Sequence, residues 1–214
     1  MKILELFSGT ASFSKIARSL GHECTTVDND EYHNPDILID ILDFDPKIFK
    51  GDWDIIWASP PCTTFSVMSN YRYWDKLQPR NSKAAINMAW VLKTLEIIKE
   101  LKPKYWFIEN PRGLLRKFPF MEELPRNTIT YCQYGTDYMK PTDIWTNFDK
   151  WTPRKMCKNG MPCHTEARRG SKTGIQSSGG IRATSGWSKA NRVARAIVPS
   201  ELCKEILMTL KDSG

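Results

Sequence analysis

The chain has 214 residues, 41% of them hydrophobic, and a formal net charge of +7. That length suits one domain with a sizeable core and a small appendage, and no apolar run approaches the ~20 residues of a membrane span. The first predicted strand begins at residue 2 and leaves no room for a signal peptide. Six cysteines lack the spacing of a disulfide framework. We therefore expect a cytoplasmic protein without membrane association.

Strands and helices alternate along the chain. Hydrophobic patterning predicts strands at 2–6, 23–27, 36–39, 53–58 and 105–108, and helices at 11–20, 84–101 and 199–211. Residues 127–132 and 142–147 predict a closing antiparallel pair. Alternating βα units are typical of an α/β fold with a doubly wound, mostly parallel sheet. Residues 149–190 interrupt this pattern and predict a small irregular insert.

The buried strand at 53–58 ends in Pro60-Pro61-Cys62. The two prolines stiffen the strand exit and present a thiol just beyond it. Because open parallel sheets carry their chemistry at the carboxyl ends of strands, Cys62 is a candidate nucleophile. The alternative is a cysteine that packs as a small buried hydrophobe.

The turn after the first strand, residues 7–12, is rich in small residues and leads into a helix. Such a turn lets backbone amides approach a ligand closely. Asp28 ends the second strand about twenty residues later, where an acid commonly binds ribose hydroxyls. Asp40 follows the third strand and could accept a bond from an adenine amino group. Each acid could instead be a turn or cap residue, but their joint order predicts a nucleoside-type cofactor site.

A carboxylate, Glu109, comes directly after the predicted strand at 105–108. It would lie beside Cys62 if the two strands are neighbours. The three histidines, His22, His33 and His164, do not fall at strand ends, which argues against a cysteine hydrolase.

Five sequence blocks occur in order: Phe7-x-Gly9, Asp28, Asp40-Ile41, Pro61-Cys62-x-x-Phe65-Ser66 and Glu109-Asn110. In this order the chain resembles the cytosine-5 DNA methyltransferases over residues 1–147 and again over 182–210. The resemblance implies a Rossmann-like class I methyltransferase fold. It divides the chain into a catalytic domain at 1–147, a short target-recognition insert at 148–181 and a C-terminal segment at 182–214 that completes the domain.

The resemblance implies that the cofactor is S-adenosylmethionine. Phe7 would stack on the adenine, Gly9 would permit close approach, and Asp28 and Asp40 would hold the ribose and the adenine amino group. Four more residues are expected at the cofactor site by the same resemblance: Ser12, Ile41, Pro61 and Arg195.

The resemblance also implies a covalent mechanism on a flipped base. The Cys62 thiolate would attack carbon 6 of cytosine, carbon 5 would take the methyl group, and Glu109 would bind the exocyclic amine and ring nitrogen 3. Ser66 and the following loop, which contains Tyr71, Tyr73 and Trp74, would close over the base, although these aromatics could equally be ordinary packing residues.

The chain departs from the family pattern around residue 140. Lys140 and Thr142 occupy the two arginine positions of the Gln-x-Arg-x-Arg block. A lysine can replace one guanidinium only as a point charge. The resemblance nevertheless assigns both positions to the catalytic site, with Thr142 near the carbonyl oxygen of the base.

The short insert contains three potential metal ligands, Cys157, Cys163 and His164. They could hold zinc if a fourth ligand comes from elsewhere. Because their spacing is irregular, the sequence alone assigns no metal to them.

A basic segment without acidic residues extends from residue 168 to residue 195. It favours contacts to DNA phosphates, the alternative being a solvated basic loop. The expected DNA-contacting residues in it are Arg168, Arg169, Lys172, Arg182, Lys189 and Arg192. Double-stranded DNA is the expected partner of a monomeric enzyme.

Arg195 aligns with a family asparagine near the cofactor. Two hypotheses follow. The guanidinium binds DNA phosphate or the methionine carboxylate of S-adenosylmethionine, or it pairs with the extra carboxylate of carboxy-S-adenosylmethionine and the product is carboxymethylcytosine. A tRNA cytosine-5 methyltransferase and a non-catalytic DNA-binding relative are the remaining alternatives.

Overall fold

A computed structural model describes residues 1–67, 70–166 and 196–212. A seven-stranded sheet has the strand order β3-β2-β1-β4-β7-β9-β8, and a separate hairpin is formed by β5 and β6. The strands are β1 (Lys2–Leu6), β2 (Glu23–Asp28), β3 (Ile37–Leu38), β4 (Ile55–Ala58), β5 (Trp74–Asp75), β6 (Gln78–Pro79), β7 (Tyr105–Pro111), β8 (Arg126–Thr130) and β9 (Pro141–Thr146). The pairs among β3, β2, β1, β4 and β7 are parallel, whereas β9 is antiparallel to both β7 and β8. The predicted doubly wound, mostly parallel sheet and its closing antiparallel pair are confirmed.

Helices cover both faces of the sheet. They are α1 (Ser12–Ser19), α2 (Asn70–Tyr73), α3 (Ser82–Leu101), α4 (Pro119–Glu122) and α5 (Ser200–Asp212). One core packs α1 and α5 on one face, and a second core packs α3 on the other face. Consecutive strand residues divide between the two cores, as Ile3 and Leu4 do, because side chains alternate across a strand.

The strand order reverses between β1 and β4, which both run parallel to their neighbours. This is the switch point at which open α/β sheets bind ligands, outside the carboxyl ends of the strands. The turn after β1, the Pro60–Cys62 segment after β4 and the end of β7 all leave the sheet at this edge. The fold therefore brings the sequence-predicted blocks to one edge.

Glu109 lies within a strand, which corrects the expectation that it follows one. Along β7, β4 pairs only with the residues Tyr105–Ile108, whereas β9 pairs with β7 as far as the Pro111–Thr142 pair. The antiparallel partner therefore extends β7 beyond its parallel neighbour. As a result, Glu109 stands on a rigid element that projects past the end of β4.

The described part of the insert has little regular structure, as predicted: residues 147–166 contain no helix or strand. Within the part of the chain that the structure describes, no helix is long and apolar enough to cross a membrane.

Candidate active site

The turn between β1 and α1 has an unusual backbone. Phe7, Gly9 and Ala11 have φ angles of 55°, 47° and 53°, which is the left-handed region. The amide of Ser8 donates to the Val27 carbonyl at 3.0 Å. The amide of Gly9 donates to the Asp28 carboxylate at 2.7 Å. These bonds hold the turn against the end of β2 and expose the Phe7 ring to a pocket.

That pocket is lined by Phe7, Val27, Asp28, Asn29, Ile39, Asp40, Ile41, Pro61 and Trp90. Apolar walls lie between two carboxylates, a combination that suits an aromatic base with a sugar. The structure thus brings together Phe7, Asp28, Asp40, Ile41 and Pro61, which were predicted from separate sequence blocks.

Both acids of the pocket also brace its walls. Asp28 accepts the Gly9 amide on Oδ2 and the Asp30 amide at 2.9 Å on Oδ1. Asp40 caps a 3-10 turn by accepting the Leu42 amide at 2.9 Å. A carboxylate has about four acceptor sites, so these bonds still permit ligand contacts. The turn role and the binding role, which the sequence left as alternatives, are therefore compatible.

Trp90, on α3, is a pocket residue that the sequence analysis missed. Its ring meets that of Phe7 edge-on, with centroids 6.3 Å apart, and its Nε1 donates to Asp40 Oδ1 at 3.1 Å. On sequence alone, Trp90 is one more aromatic residue in an apolar helix. No local signal distinguishes it, because its role depends on where α3 meets the turn that follows β3.

Ser12 links the first turn to the C-terminal segment. Its hydroxyl accepts the Val198 amide at 3.3 Å and contacts the Thr10 hydroxyl at 2.8 Å. The block around Val198 therefore lies beside the turn, as the resemblance implies. Arg195 itself lies outside the described residues.

The loop that carries Cys62 is fixed from several sides. The Asn110 side chain donates to the Pro60 carbonyl at 2.8 Å, and Asn87 on α3 donates to the Thr64 hydroxyl at 3.1 Å. The Trp74 indole donates to the Thr64 carbonyl at 2.9 Å. Cys62 is half-buried. The thiol is thus held on a pinned loop at the end of β4, next to the strand that carries Glu109.

Glu109 is buried, with 5% of its surface exposed, and is held by two groups. The Tyr131 hydroxyl donates to Glu109 Oε1 at 2.8 Å, and Lys140 Nζ lies 3.8 Å from the same oxygen. Lys140 Nζ also lies 4.5 Å from the centre of the Tyr131 ring. Burial, followed by the Glu109 charge, raises the pKa of Tyr131 well above its usual value, so Tyr131 remains a protonated donor.

Tyr131 is the second residue that the sequence analysis missed. It belongs to the β-patterned run at 127–132, where an aromatic residue indicates only a buried strand position. The structure ends β8 at Thr130 and places Tyr131 in the following 3-10 turn.

The structure bears on two expectations in this region. Trp74 is 4% exposed and packs on Phe65 and Phe118, so it belongs to the core and not to a loop that closes over a base. Thr142 is fully buried, and its hydroxyl donates to the Lys140 carbonyl at 3.2 Å. This bond gives Thr142 a supporting position behind Lys140, and its contact with a base stays a prediction.

Ser66 lies half-buried just after the pinned loop, and Tyr71 is 62% exposed. The other predicted DNA-contacting residues lie outside the described part of the chain: Arg168, Arg169, Lys172, Arg182, Lys189 and Arg192.

Comparison with known proteins supports the resemblance to the cytosine-5 DNA methyltransferases. The family model for C-5 cytosine-specific DNA methylases matches residues 1–119. A "Probable DNA (cytosine-5)-methyltransferase" of Frog virus 3 is 32% identical over 171 residues, covering 76% of this chain and 78% of that protein. The type II methyltransferase M.DdeI of Desulfomicrobium norvegicum is 30% identical over 129 residues, covering 54% of this chain and 29% of that protein.

Among solved structures, the Dnmt2 methyltransferase of S. pombe matches with a TM-score of 0.50 and 17% identity, covering 71% of this chain. The chain spans about half of that structure, 51% of its length. At this identity the match supports the fold alone.

Proposed function

The chain belongs to the C-5 cytosine-specific DNA methylase family, and we propose that it transfers a methyl group from S-adenosylmethionine to carbon 5 of a cytosine in DNA. The observation that carries this proposal is the pairing of β4 with β7, which sets the Cys62 loop beside the braced carboxylate of Glu109. Both lie at the edge of the sheet that opens the nucleoside-type pocket.

The pocket residues fit S-adenosylmethionine, which supplies an electrophilic methyl group on a sulfonium. Phe7 and Trp90 would contact the adenine from two sides, and Asp28 would accept from the ribose hydroxyls. Asp40 would accept from the adenine amino group, and Ile41 and Pro61 complete the apolar wall. Gly9 leaves the turn open, since a Cβ there would meet nothing within 4 Å. Ser12 would act through the segment that it holds at Val198.

Cys62 would act as the nucleophile. Its thiolate forms a bond to carbon 6 of the cytosine, and the electron pair of the 5,6 double bond becomes available at carbon 5. Carbon 5 would take the methyl group as S-adenosylhomocysteine departs as a neutral thioether. Water would then accept the carbon 5 proton, the double bond would re-form and the bond to Cys62 would break. The thiolate is regenerated, so the addition and the elimination balance.

Glu109 would select and activate the base. Tyr131 and Lys140 both contact Oε1, which favours Oε2 as the oxygen that accepts from the cytosine amine. A proton shared between Glu109 and ring nitrogen 3 would neutralise the negative charge that develops on that nitrogen when the thiolate adds, and this would stabilise the transition state. Lys140 would place a positive charge beside this site, and Thr142 would hold the Lys140 backbone.

The target base must leave the helix, because neither face of a stacked cytosine is accessible to a thiol. Ser66, at the end of the Cys62 loop, and the basic segment 168–195 would contact the DNA around the extruded base. A net charge of +7 supports a polyanionic substrate. An RNA substrate and the carboxylated donor are alternatives that the experiment below separates.

Nucleoside mass spectrometry tests the proposal. Duplex DNA is incubated with the protein and S-adenosylmethionine, beside Cys62→Ala and the matched variant Cys24→Ser, which changes another half-buried thiol. We expect 5-methylcytosine with the wild type and Cys24→Ser and none with Cys62→Ala. If 5-methylcytosine formed in tRNA but not in DNA, tRNA would be the substrate. Methylation that persists in Cys62→Ala would refute the covalent mechanism. Competition between the two donors decides between methyl and carboxymethyl transfer.

A further inference from the structure

Four potential metal ligands converge on one point beside the insert. They are the Sγ atoms of Cys132, Cys157 and Cys163 and a ring nitrogen of His164, and all of these atoms lie within 4.8 Å of one another. Cys132 comes from the turn after β8, and the other three come from the irregular segment after β9. The fourth ligand that the sequence analysis required is therefore Cys132, which is 25 positions away from Cys157.

We propose that these four side chains bind one zinc ion in a closed structural site. Three thiolates and one imidazole form one of the ligand sets that structural zinc prefers, and four protein ligands leave no position open for a substrate or a reactive water. The assignment does not depend on the proposed methyl transfer.

The distances suit tetrahedral coordination. Zinc bonds of about 2.3 Å to sulfur and about 2.0 Å to nitrogen place a sulfur and a nitrogen ligand about 3.5 Å apart. His164 Nδ1 lies 3.4 Å from Cys163 Sγ and 3.7 Å from Cys157 Sγ. The Cys132 and Cys157 sulfur atoms are 2.9 Å apart and would separate to about 3.8 Å around an ion. A movement of this size needs only small side-chain adjustments.

Neighbouring groups are arranged to orient these ligands. His164 Nε2 lies 3.4 Å from Asn159 Oδ1, so a proton on Nε2 would be donated there and Nδ1 would face the sulfur atoms with its lone pair. The Gln133 side-chain amide donates to Cys163 Sγ at 3.2 Å. The Cys157 amide donates to the Thr130 hydroxyl at 3.1 Å. Such outer bonds fix the tautomer and position of metal ligands.

The location explains what the ion would do. Cys132, Cys157 and His164 are at most 8% exposed, and the two cysteines form a small cluster with Met139 separate from both main cores. Residues 147–166 have no helix or strand to hold them. A metal can stabilise a segment that is too short for its own core. The same ion would hold the insert against the turn that carries Tyr131, the partner of Glu109.

Metal analysis tests the site. The full chain is purified under reducing conditions without chelator, and its zinc content is measured by inductively coupled plasma mass spectrometry. We expect about one zinc per chain in the wild type and in the matched thiol variant Cys24→Ser, and loss of zinc in Cys132→Ser and His164→Ala. Cobalt substitution should give the visible bands and the thiolate charge-transfer band of a tetrahedral thiolate site.

Two further variants guard against misfolding as the explanation. His164→Cys keeps four ligands and should keep its zinc, and Asn159→Ala should weaken zinc binding by about 10- to 100-fold while the fold persists. A wild-type chain without zinc would overturn the proposal, as would full zinc content in Cys132→Ser. A Cys132–Cys157 disulfide in the freshly purified protein would overturn it as well.

Discussion

At the scale of single residues, Tyr131 is the group on which the position of Glu109 depends most directly. It donates to Glu109 at 2.8 Å from a fully buried position. Hydrogen bonds to charged groups contribute about 1.5–3 kcal/mol. Tyr131→Phe keeps the ring under Lys140 but removes this donor. We therefore expect kcat for DNA methylation to fall by about 10- to 100-fold.

The cofactor side of the site provides the control, because Tyr131 does not line the nucleoside pocket. The dissociation constant for S-adenosylmethionine should be unchanged in Tyr131→Phe, and Tyr32→Phe, at a tyrosine that is 68% exposed, should behave as wild type. Equal losses in kcat and in cofactor affinity would indicate a general structural defect and contradict the specific role.

Gly113 allows the end of β7 to approach the Cys62 loop. A Cβ at Gly113 would lie 2.4 Å from the Phe65 carbonyl oxygen, and the next amide, Leu114, donates to that oxygen at 2.8 Å. Gly113→Ala must therefore displace backbone, which costs about 1–3 kcal/mol in a packed region. We expect a lower free energy of unfolding in urea and reduced methylation.

Gly51 is the matched position for this substitution. A Cβ there would first meet Lys2 Nζ at 3.3 Å, the end of a flexible side chain that can move away. Gly51→Ala should leave unfolding nearly unchanged. If both variants unfolded alike, the close approach at Gly113 would not be the cause.

Site residues were predictable from the sequence where a reactive side chain stands at the end of an apolar run. They were missed where contacts between distant elements determine which residues meet. Cys62 and Glu109 follow from a thiol and a carboxylate at the ends of two apolar runs. Trp90 and Tyr131 lie in segments whose patterning indicates only burial. Their roles arise because α3 meets the turn after β3 and because β8 pairs with β9. Cys132 was missed for the same reason, since it meets its partners only in the folded chain.

At the scale of elements, the junction of β1 and α1 contains a buried acid, Glu5. Its carboxylate accepts the Ser14 amide at 2.8 Å and the Phe13 amide at 3.4 Å, at the start of α1. Burial raises the pKa of Glu5 from 4.5 to about 7, against the lowering effect of these bonds. The contribution of this junction to stability is therefore expected to depend on pH near neutrality.

The direction of the pH effect on stability follows from the number of protons that each state binds. Between pH 4.5 and about 7 the folded state holds a proton on Glu5 that the unfolded state has lost. The stabilisation by this group is thus full below pH 4.5 and declines as the pH rises through 7. A shift of this size corresponds to about 3 kcal/mol at most. Urea unfolding of the wild type and Glu5→Gln from pH 5 to 8 should show this decline only in the wild type.

Glu23→Gln, at an exposed strand end, is the control for the titration. It should retain the wild-type dependence on pH. An identical pH dependence in Glu5→Gln would assign the effect to other groups.

Elements were largely predictable because the buried parallel strands form short, nearly continuous apolar runs. The buried runs of β1, β4 and β7 and the long stripe of α3 were predicted within a few residues of their observed bounds. The end of β7 differs, since the strand continues past the predicted residue 108 to Pro111, where β9 pairs with it. A strand end that depends on pairing with a distant strand cannot be predicted from the local sequence pattern.

At the scale of the whole molecule, the insert is joined to the last helix as well as to the turn after β8. Arg154 donates to Glu205 at 2.7 Å, to Glu201 at 2.8 Å and to the Gln133 carbonyl at 2.6 Å. Burial in the same corner raises the pKa of Tyr134 to about 12, so Tyr134 stays protonated while its hydroxyl oxygen accepts the Arg154 amide at 3.0 Å. The segment that precedes the basic residues is therefore anchored both to the last helix and to the turn after β8.

The distribution of charge predicts how the molecule holds DNA. Each lysine or arginine that contacts a phosphate adds about 0.9 to the magnitude of the slope of log K against log salt. Changing Arg182, Lys189 and Arg192 to glutamine should lower that magnitude by as much as about 3 and weaken binding at low salt equally for all sequences. Titrations of fluorescent duplex DNA at several salt concentrations measure this slope.

The control changes Lys47, Lys50 and Lys99, exposed residues before β4 and on α3, and removes the same charge. Because general attraction depends on net charge, equal slopes in the two triple variants would show that the basic segment makes no direct phosphate contacts. A smaller slope in the first variant alone would identify these residues as phosphate ligands.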